Sequence, residues 1–466
     1  MTGKRKLAMP DTLIIVASVV LLVAILSWII PSGTYDYQEM NINGRIRNVA
    51  IDGTYHTIDK SEVTTTGFLG FFSVLYRGCV EAADVIFMIL CCCGTFGVVV
   101  KTGAFHAGIG TILKKLKGKE ILLVPIIMMI FGLGGSVFGM ASEFYGFYPL
   151  IVGLGVALGY DAMFGFAIIA VGEFVGFMGA TLNPYSVGIA QTISGVELYS
   201  GTGYRAICFV IFMAISIIYV MVYGRKIKKN PGASVVFGEK NIHAFDRDEL
   251  NEYSFTLKDG LVLLDVLVVL VVLMLGLIKW GWDFPQLCGL FLLMSMIAAA
   301  ICKWSPNKWC SEFIDSAKTA MWGCILTGIA KAITVVMQDA QIMDTVIYGL
   351  SNVLKNAPHA VSAQVMLVVQ TLINFFIPSA TGQASATMPI MAQLADIIGV
   401  SRQTAVLAFQ FGDGLSNIFW PTADIVIICG LGGISLQKWY KWFTPLFLIL
   451  FVTQAILLGI ATGIGF

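Results

Sequence analysis

Apolar residues in this chain come in long unbroken runs, not in the alternation of a half-buried strand or the stripe of a surface helix. Runs at 11–31, 84–100, 162–192, 203–224, 258–279, 283–303, 319–337, 402–430 and 440–464 all reach the roughly seventeen to twenty residues that a helix needs to cross a bilayer. Two further stretches, 119–158 and 360–398, are interrupted near their middles by small and polar residues. The interruptions read Gly132-Leu-Gly-Gly-Ser-Val-Phe-Gly-Met-Ala-Ser142-Glu143 and Pro378-Ser-Ala-Thr-Gly-Gln-Ala-Ser385. The arms around the first interruption are only about fifteen residues long, short for a full crossing. The pattern therefore predicts nine transmembrane helices and two re-entrant hairpins, with interfacial arms over 104–117 and 341–356. Residues 32–66 are polar with short alternating stretches, read as an outer loop carrying a small hairpin.

Composition supports this reading. Of 466 residues, 57% are hydrophobic and 12% charged, against about 25% charged in soluble proteins. That excludes an ordinary soluble enzyme, a disordered chain and a coiled coil. With a net charge of +1 the chain offers no basic face to nucleic acid, and its expected partners are the lipid bilayer and a small-molecule substrate. The ten cysteines form no CxxC pair, and there is no HExxH. No cofactor or metal centre is expected beyond a coupling Na+ or H+.

Positive charge orients the spans. Lys4, Arg5 and Lys6 precede the first run, and the clusters Lys114, Lys115, Lys117, Lys119 and Arg225, Lys226, Lys228, Lys229 should share their side, as should Lys438 and Lys441. The N-terminus is then cytoplasmic in a multi-pass protein of the cell inner membrane. The first hairpin enters from inside and the second from outside.

The chain also repeats. At an offset of 240, Pro149 falls on Pro389, Gly159 on Gly399, Gly172 on Gly412 and Glu173 on Asp413. Five crossings separate the two copies, an odd number, so the second copy is inverted. Inverted repeats with broken elements near the midplane belong to secondary transporters. The organisation expected is 1–66, first span and outer loop; 67–118, scaffold helices and first arm; 119–200, first half of the transport domain. Scaffold, cytoplasmic loop and second arm follow over 201–359, the second transport half over 360–436, and a last scaffold helix over 437–466.

Chemistry should sit where helices cannot stay regular. The run at 162–192 contains Asn183-Pro184-Tyr-Ser186, and that at 402–430 contains Ser416-Asn417-Ile-Phe-Trp-Pro421-Thr422-Ala-Asp424. Proline opens a helix by removing a donor and crowding the preceding turn. Freed carbonyls in a bilayer are tolerated where they line a cavity or bind something. Half-helix N-termini suit a carboxylate, while carbonyl, Asn and Ser oxygens suit a cation. Ser142, Glu143, Asn183, Ser379, Thr381, Asp413, Asn417 and Thr422 are the candidate substrate ligands. Glu173, Pro184, Ser186, Ser416 and Asp424 are the candidate ion ligands. Scattered glycines such as Gly153, Gly155, Gly323 and Gly349 are assigned to helix packing.

Glu143, Glu173, Asp413 and Asp424 are deep in their segments, whereas Glu120, Asp161, Glu197, Asp396 and Arg402 sit at element ends. A pocket lined by acids favours a zwitterionic amino acid with a positive side chain. Lys331 and Asp265 lie outside the hairpins and are expected to pair with each other. The other reading brings Lys331 to the cavity, where it would favour an anion. An intramembrane aspartyl protease is disfavoured, because residue 410 is Gln and the Gly-x-Gly-Asp string is absent.

The string from Glu173 to Gln191 (EFVGFMGATLNPYSVGIAQ) and Pro378-Ser-Ala-Thr-Gly-Gln-Ala384 resemble the YfcC-like branch of the four-carbon dicarboxylate anaerobic carrier family. Pro10-Asp-Thr and Trp28-Ile-Ile-Pro-Ser-Gly-Thr-Tyr-Asp36 are similar too. The resemblance covers nearly the whole chain and implies membership of the ion-transporter superfamily. It implies a homodimer in which a transport domain with two hairpins moves against a scaffold in an elevator motion. Branches of the family carry dicarboxylates or basic amino acids such as arginine and ornithine. Where related members have Ser-Asn-Thr at the hairpin tips, this chain has Ala141-Ser142-Glu143 and Ser379-Ala380-Thr381. With the asparagine replaced and Glu143 added, antiport or ion-coupled transport of basic amino acids is expected, with a sodium- or proton-coupled dicarboxylate carrier as the alternative.

Overall fold

The computed structural model describes residues 11–42, 45–116, 120–239, 243, 255–355 and 361–466. Lys4, Arg5, Lys6, Pro10, Lys117 and Lys119 lie outside the described residues, as do the side chains of Lys114 and Lys115. Helix α1 (Thr12–Ile29) starts at Asp11, whose carboxylate accepts the Leu13 N–H. The polar loop after it holds two antiparallel pairs. β1 (Ser32–Thr34) pairs with β4 (His56–Ile58), and β2 (Tyr37–Ile42) with β3 (Arg45–Ala50). There follow α2 (Phe68–Glu81), α3 (Ala83–Lys101), α4 (Ala104–Leu116), α5 (Leu123–Leu133), α6 (Phe147–Ala157), α7 (Ala162–Met178), α8 (Val187–Ile193) and α9 (Thr202–Lys229). The second half has α10 (Leu257–Lys279), α11 (Phe284–Ile301), α12 (Pro306–Lys318), α13 (Met321–Asp339), α14 (Met343–Lys355), α15 (Ser362–Phe376), α16 (Ala380–Ile397), α17 (Arg402–Ser416), α18 (Asp424–Gly432) and α19 (Leu436–Ile464).

Seven of these, α1, α3, α9, α10, α11, α13 and α19, are long and apolar enough to cross a membrane. Leu21, Leu22 and Ile25 on α1, Leu264 and Leu267 on α10, and Val452 and Ile456 on α19 remain exposed. Such apolar faces belong against lipid, and the chain is a multi-pass membrane protein. The other two expected crossings are each in two pieces, α7 with α8 and α17 with α18, broken where Asn183-Pro184 and Pro421 fall.

Two helices were not legible as apolar runs. α2 is short, and α12 carries Lys308, Glu312, Asp315 and Lys318. Their glycine contacts explain how they pack. A Cβ on Gly78 of α2 would lie 2.3 Å from the Gly328 carbonyl of α13, and one on Gly97 of α3 would lie 2.1 Å from Ser316 Cβ of α12. Each short helix therefore nests in the long helix of the other half. The same exchange recurs: α1 packs on α13 and α11 on α3, while α16 packs on α8 and α18 on α6. Within each half, α5 packs on α7 and α15 on α17, and α9 and α19 lie against these helices.

The β-bearing loop is fixed to the start of α14. Asp344 accepts from Tyr35 N at 3.1 Å, Thr34 Oγ1 at 3.2 Å and the Tyr37 hydroxyl at 2.8 Å. Burial, and then the charge of Asp344, push the Tyr37 phenol up, which keeps it a donor. Tyr55 stacks on Tyr348 with centroids 4.1 Å apart.

Candidate functional site

Helix α7 is buried along its whole length, as is α17 from Thr404 onward, so these two rods form the centre of the molecule. Close approach requires glycine there: a Cβ on Gly176 would meet the Gly132 carbonyl at 2.1 Å, and one on Gly414 would meet Met178 Cα at 2.4 Å. Asp161 caps α7 by accepting the Phe164 N–H at 2.7 Å.

The first hairpin does not turn as a plain loop. α5 runs into a wide turn over Gly134–Phe138, and the chain then reverses at Gly139, whose φ of 68° is left-handed. Ser136 in that turn takes up groups freed by the end of α7. Its hydroxyl donates to the Gly179 carbonyl at 3.1 Å, and its carbonyl accepts the Thr181 N–H at 2.9 Å. Asn183 closes the break. Its Oδ1 accepts the N–H groups of Tyr185 at 2.9 Å and Ser186 at 3.2 Å, an Asx-type turn that occupies its acceptor. A Cβ on Gly139 would strike that same oxygen at 2.3 Å.

The second hairpin turns at Ile377–Ser379, and Ser379 caps α16 by accepting the Gly382 N–H at 3.3 Å. α17 ends at Ser416, whose hydroxyl donates back to the Gly412 carbonyl at 2.6 Å. α18 begins at Asp424, with a carboxylate at the positive end of the helix.

The hairpins and breaks are tied crosswise. Tyr145 on the first hairpin donates to Asp424 Oδ1 at 2.8 Å, and Thr381 on the second donates to the Tyr185 carbonyl at 2.9 Å. Between them lies a cavity of about 550 Å3. From the hairpins and the second break it is lined by Ala141, Ser142, Pro378, Ser379, Thr422 and Asp424. The opposite wall comes from the α2–α3 junction and α13, with Glu81, Thr327, Lys331 and Thr334.

Of the expected site residues, Ser142, Ser379, Thr422 and Asp424 line this cavity, and Thr381 lies at the second tip beside it. The others are behind the wall. Glu143 folds back so that its Oε2 accepts the Ala141 N–H at 3.0 Å. Glu173 accepts the Tyr148 hydroxyl at 2.9 Å and is fully buried. Asn183, Ser186, Asp413, Ser416 and Asn417 are buried too, and Pro184 sits in the turn that Asn183 organises. Among the described residues Lys331 and Asp265 form no ion pair: Lys331 faces the cavity, while Asp265 Oδ2 is buried without a hydrogen-bond partner. The expected pairing is corrected accordingly, and the position of Lys331 is that of the other reading. Sequence reasoning missed Tyr145, Tyr148, Asn374 and Glu81. Only Asn374 carried a signal, as an amide inside an apolar stretch.

A family model described as C4-dicarboxylate anaerobic carrier matches residues 9–463. The chain is 32% identical to the Escherichia coli K12 protein named "Putative basic amino acid antiporter YfcC", over 99% of this chain and 98% of that one. It is 27% identical to an uncharacterized protein of Haemophilus influenzae, again over 99% and 98%. The solved YdaH transporter of Alcanivorax borkumensis aligns over 98% of this chain and 99% of its own, at 14% identity and a TM-score of 0.45. At that level the likeness fixes neither fold nor cargo.

Proposed function

Because the chain belongs to the C4-dicarboxylate anaerobic carrier family and is a secondary transporter, we propose that its cargo is a basic amino acid, moved by antiport or ion coupling. The observation that carries the reading is the charge of the cavity wall: one cation, Lys331, with two anions, Glu81 and Asp424. A basic amino acid has the complementary set, one carboxylate and two cationic groups. Lys331 would take the carboxylate and the two acids the ammonium and side-chain charges, each a charge-assisted contact. Like charges facing one another would weigh against wrong cargo. The name of the Escherichia coli relative agrees with this cargo.

The crosswise packing of α1, α2, α12 and α13, and of the hairpins with the breaks, supports two halves related by inversion. It also supports an elevator in which the hairpins, α7, α8, α17 and α18 travel together. α9 and α19, expected from the sequence to be scaffold, pack on these elements and are reassigned to the moving body in this reading, and α1–α3 and α10–α13 form the frame. Lys331 and Glu81 then stay with the frame while Ser142, Ser379 and Asp424 move with the cargo. A homodimer in the inner membrane with a cytoplasmic N-terminus completes the proposal.

The second reading is a four-carbon dicarboxylate, favoured by Lys331 and by the family description. Counterflow into proteoliposomes with labelled arginine, lysine and succinate separates the two. Exchange of arginine or lysine that ignores succinate is expected. Succinate exchange with no response to arginine or lysine would sink the amino-acid reading.

A further inference from the structure

A second cavity, of about 500 Å3, lies at the C-terminal end of α9 and shares no lining residue with the cargo cavity. Its walls are the corner between α6 and α7, with Tyr160 and Asp161, the last turn of α9, with Lys228, and the segment that follows, with Phe237 and Glu239. The volume is that of a small-molecule site and exceeds what a single ion needs.

The segment after α9 folds back over the corner and is pinned on both sides. Ser234 donates to Asp161 Oδ2 at 2.6 Å, and Lys438 at the start of α19 donates to the Val235 carbonyl at 2.7 Å. The same bonds engage the acids of the wall. Asp161 accepts from the Phe164 N–H, the Tyr223 hydroxyl and Ser234, and Glu239 pairs with Lys438 at 3.1 Å. Lys228 differs from them. Its Nζ lies 5.0 Å from the centre of the Tyr160 ring, a cation–π contact. Among the described residues it forms no ion pair. The cavity therefore offers an occupant one ammonium group, with both acids already taken.

The surroundings narrow the occupant. Arg225, Lys226 and Lys229 are exposed on the last turns of α9, as is Lys441 on α19. The two helices meet there, where the Tyr219 hydroxyl donates to the Trp442 carbonyl at 2.9 Å. Such a concentration of positive charge draws an anion. One and two turns earlier α9 exposes Val222 and Ile218, the end of a lipid-facing stripe that includes Ile207 and Val210. Phe237, beside the cavity, is 66% exposed. A ligand that uses all of this surface has an anionic group for Lys228 and an apolar tail for the face of α9. A soluble anion uses the lysines alone.

We propose that this cavity binds the headgroup of an anionic phospholipid, with its phosphate at Lys228 and its acyl chains along Ile218 and Val222. Basic pockets between helices at a membrane surface hold such headgroups. The lipid joins the base of the first hairpin, at the α6–α7 corner, to the end of α9. It is then a structural ligand of the hairpin-bearing body, whichever cargo that body carries.

The test uses the full-length purified protein in a neutral detergent. Its thermal unfolding midpoint is followed as phosphatidylglycerol or phosphatidylcholine is added, for wild type, Lys228→Gln and Lys229→Gln. Lys228 is exposed, so its replacement leaves the fold intact; Lys229 is its neighbour outside the cavity. A saturable rise with phosphatidylglycerol and little response to phosphatidylcholine are expected in wild type. Lys228→Gln should raise the half-saturating concentration by about fivefold, the worth of one lysine at a lipid surface, and Lys229→Gln by less than about twofold. An equal response to the two lipids overturns the site, as does a wild-type titration for Lys228→Gln. Equal shifts in both variants overturn it in favour of diffuse surface charge. Glycerol 3-phosphate, which has no tails, should leave the midpoint unchanged; a rise matching that with phosphatidylglycerol overturns the lipid in favour of a soluble anion.

Discussion

The two halves of this protein share an element plan but use it differently. In the first half the break after α7 is sealed: Ser136, Gly139 and Asn183 lock it to its own hairpin, and Glu173 accepts from Tyr148 through one of its two oxygens. In the second half the break after α17 is also tied to its own hairpin, through Asn374 to Asn417 and Trp420 to Thr371, but it turns Thr422 and Asp424 to the cavity. Repetition of a fold thus does not repeat a site. Of the polar side chains that the hairpins and breaks present to the cavity, Ser142 and Tyr145 come from the first half and Ser379, Thr422 and Asp424 from the second. The crosswise bonds, Tyr145 to Asp424 and Thr381 to Tyr185, let the first half hold the second in place.

The strongest way to break this contrast is to neutralise one acid in each half. Asp424→Asn should lower arginine uptake by about 10- to 100-fold, the worth of a contact to a charged group, with normal membrane expression. Glu173→Gln should cost stability and leave the apparent affinity for arginine nearly unchanged; equal losses of affinity would erase the distinction. Next in size, Gly176→Ala should destabilise the body by about 1–3 kcal/mol through overpacking, read as a lower unfolding midpoint. Gly349→Ala, where nothing lies within 4 Å, should leave it unchanged or slightly raised. Lys331→Gln tests the fixed wall: affinity for arginine should fall by about tenfold, with little change for arginine methyl ester, which lacks the carboxylate. The smallest effect is expected at the second tip. Thr381→Val removes one hydrogen bond to Tyr185 and should cost about 1 kcal/mol, measured by denaturation.

Seven long apolar helices, the interruptions within 119–158 and 360–398 and the two breaks were legible in the sequence. Run length is a one-dimensional property, and Gly-rich tips and Asn183-Pro184 act on the backbone within a turn or two. The 240-residue repeat was legible for the same reason: α3 and α13, α5 and α15, and α7 and α17 begin at matching places. The short helices α2 and α12 were not, since each is stabilised by a groove in the other half rather than by its own pattern.

Sequence alone thus determined that this chain crosses a membrane repeatedly and where its helices must open. Only the tertiary structure decided which acids meet the cavity and which are sealed away. It also brought Lys331 to the wall and left Asp265 elsewhere. A helix buried on every side, as α7 and α17 are, has no apolar stripe to reveal its rotation. The direction of each side chain was therefore set by packing against elements far away in the chain.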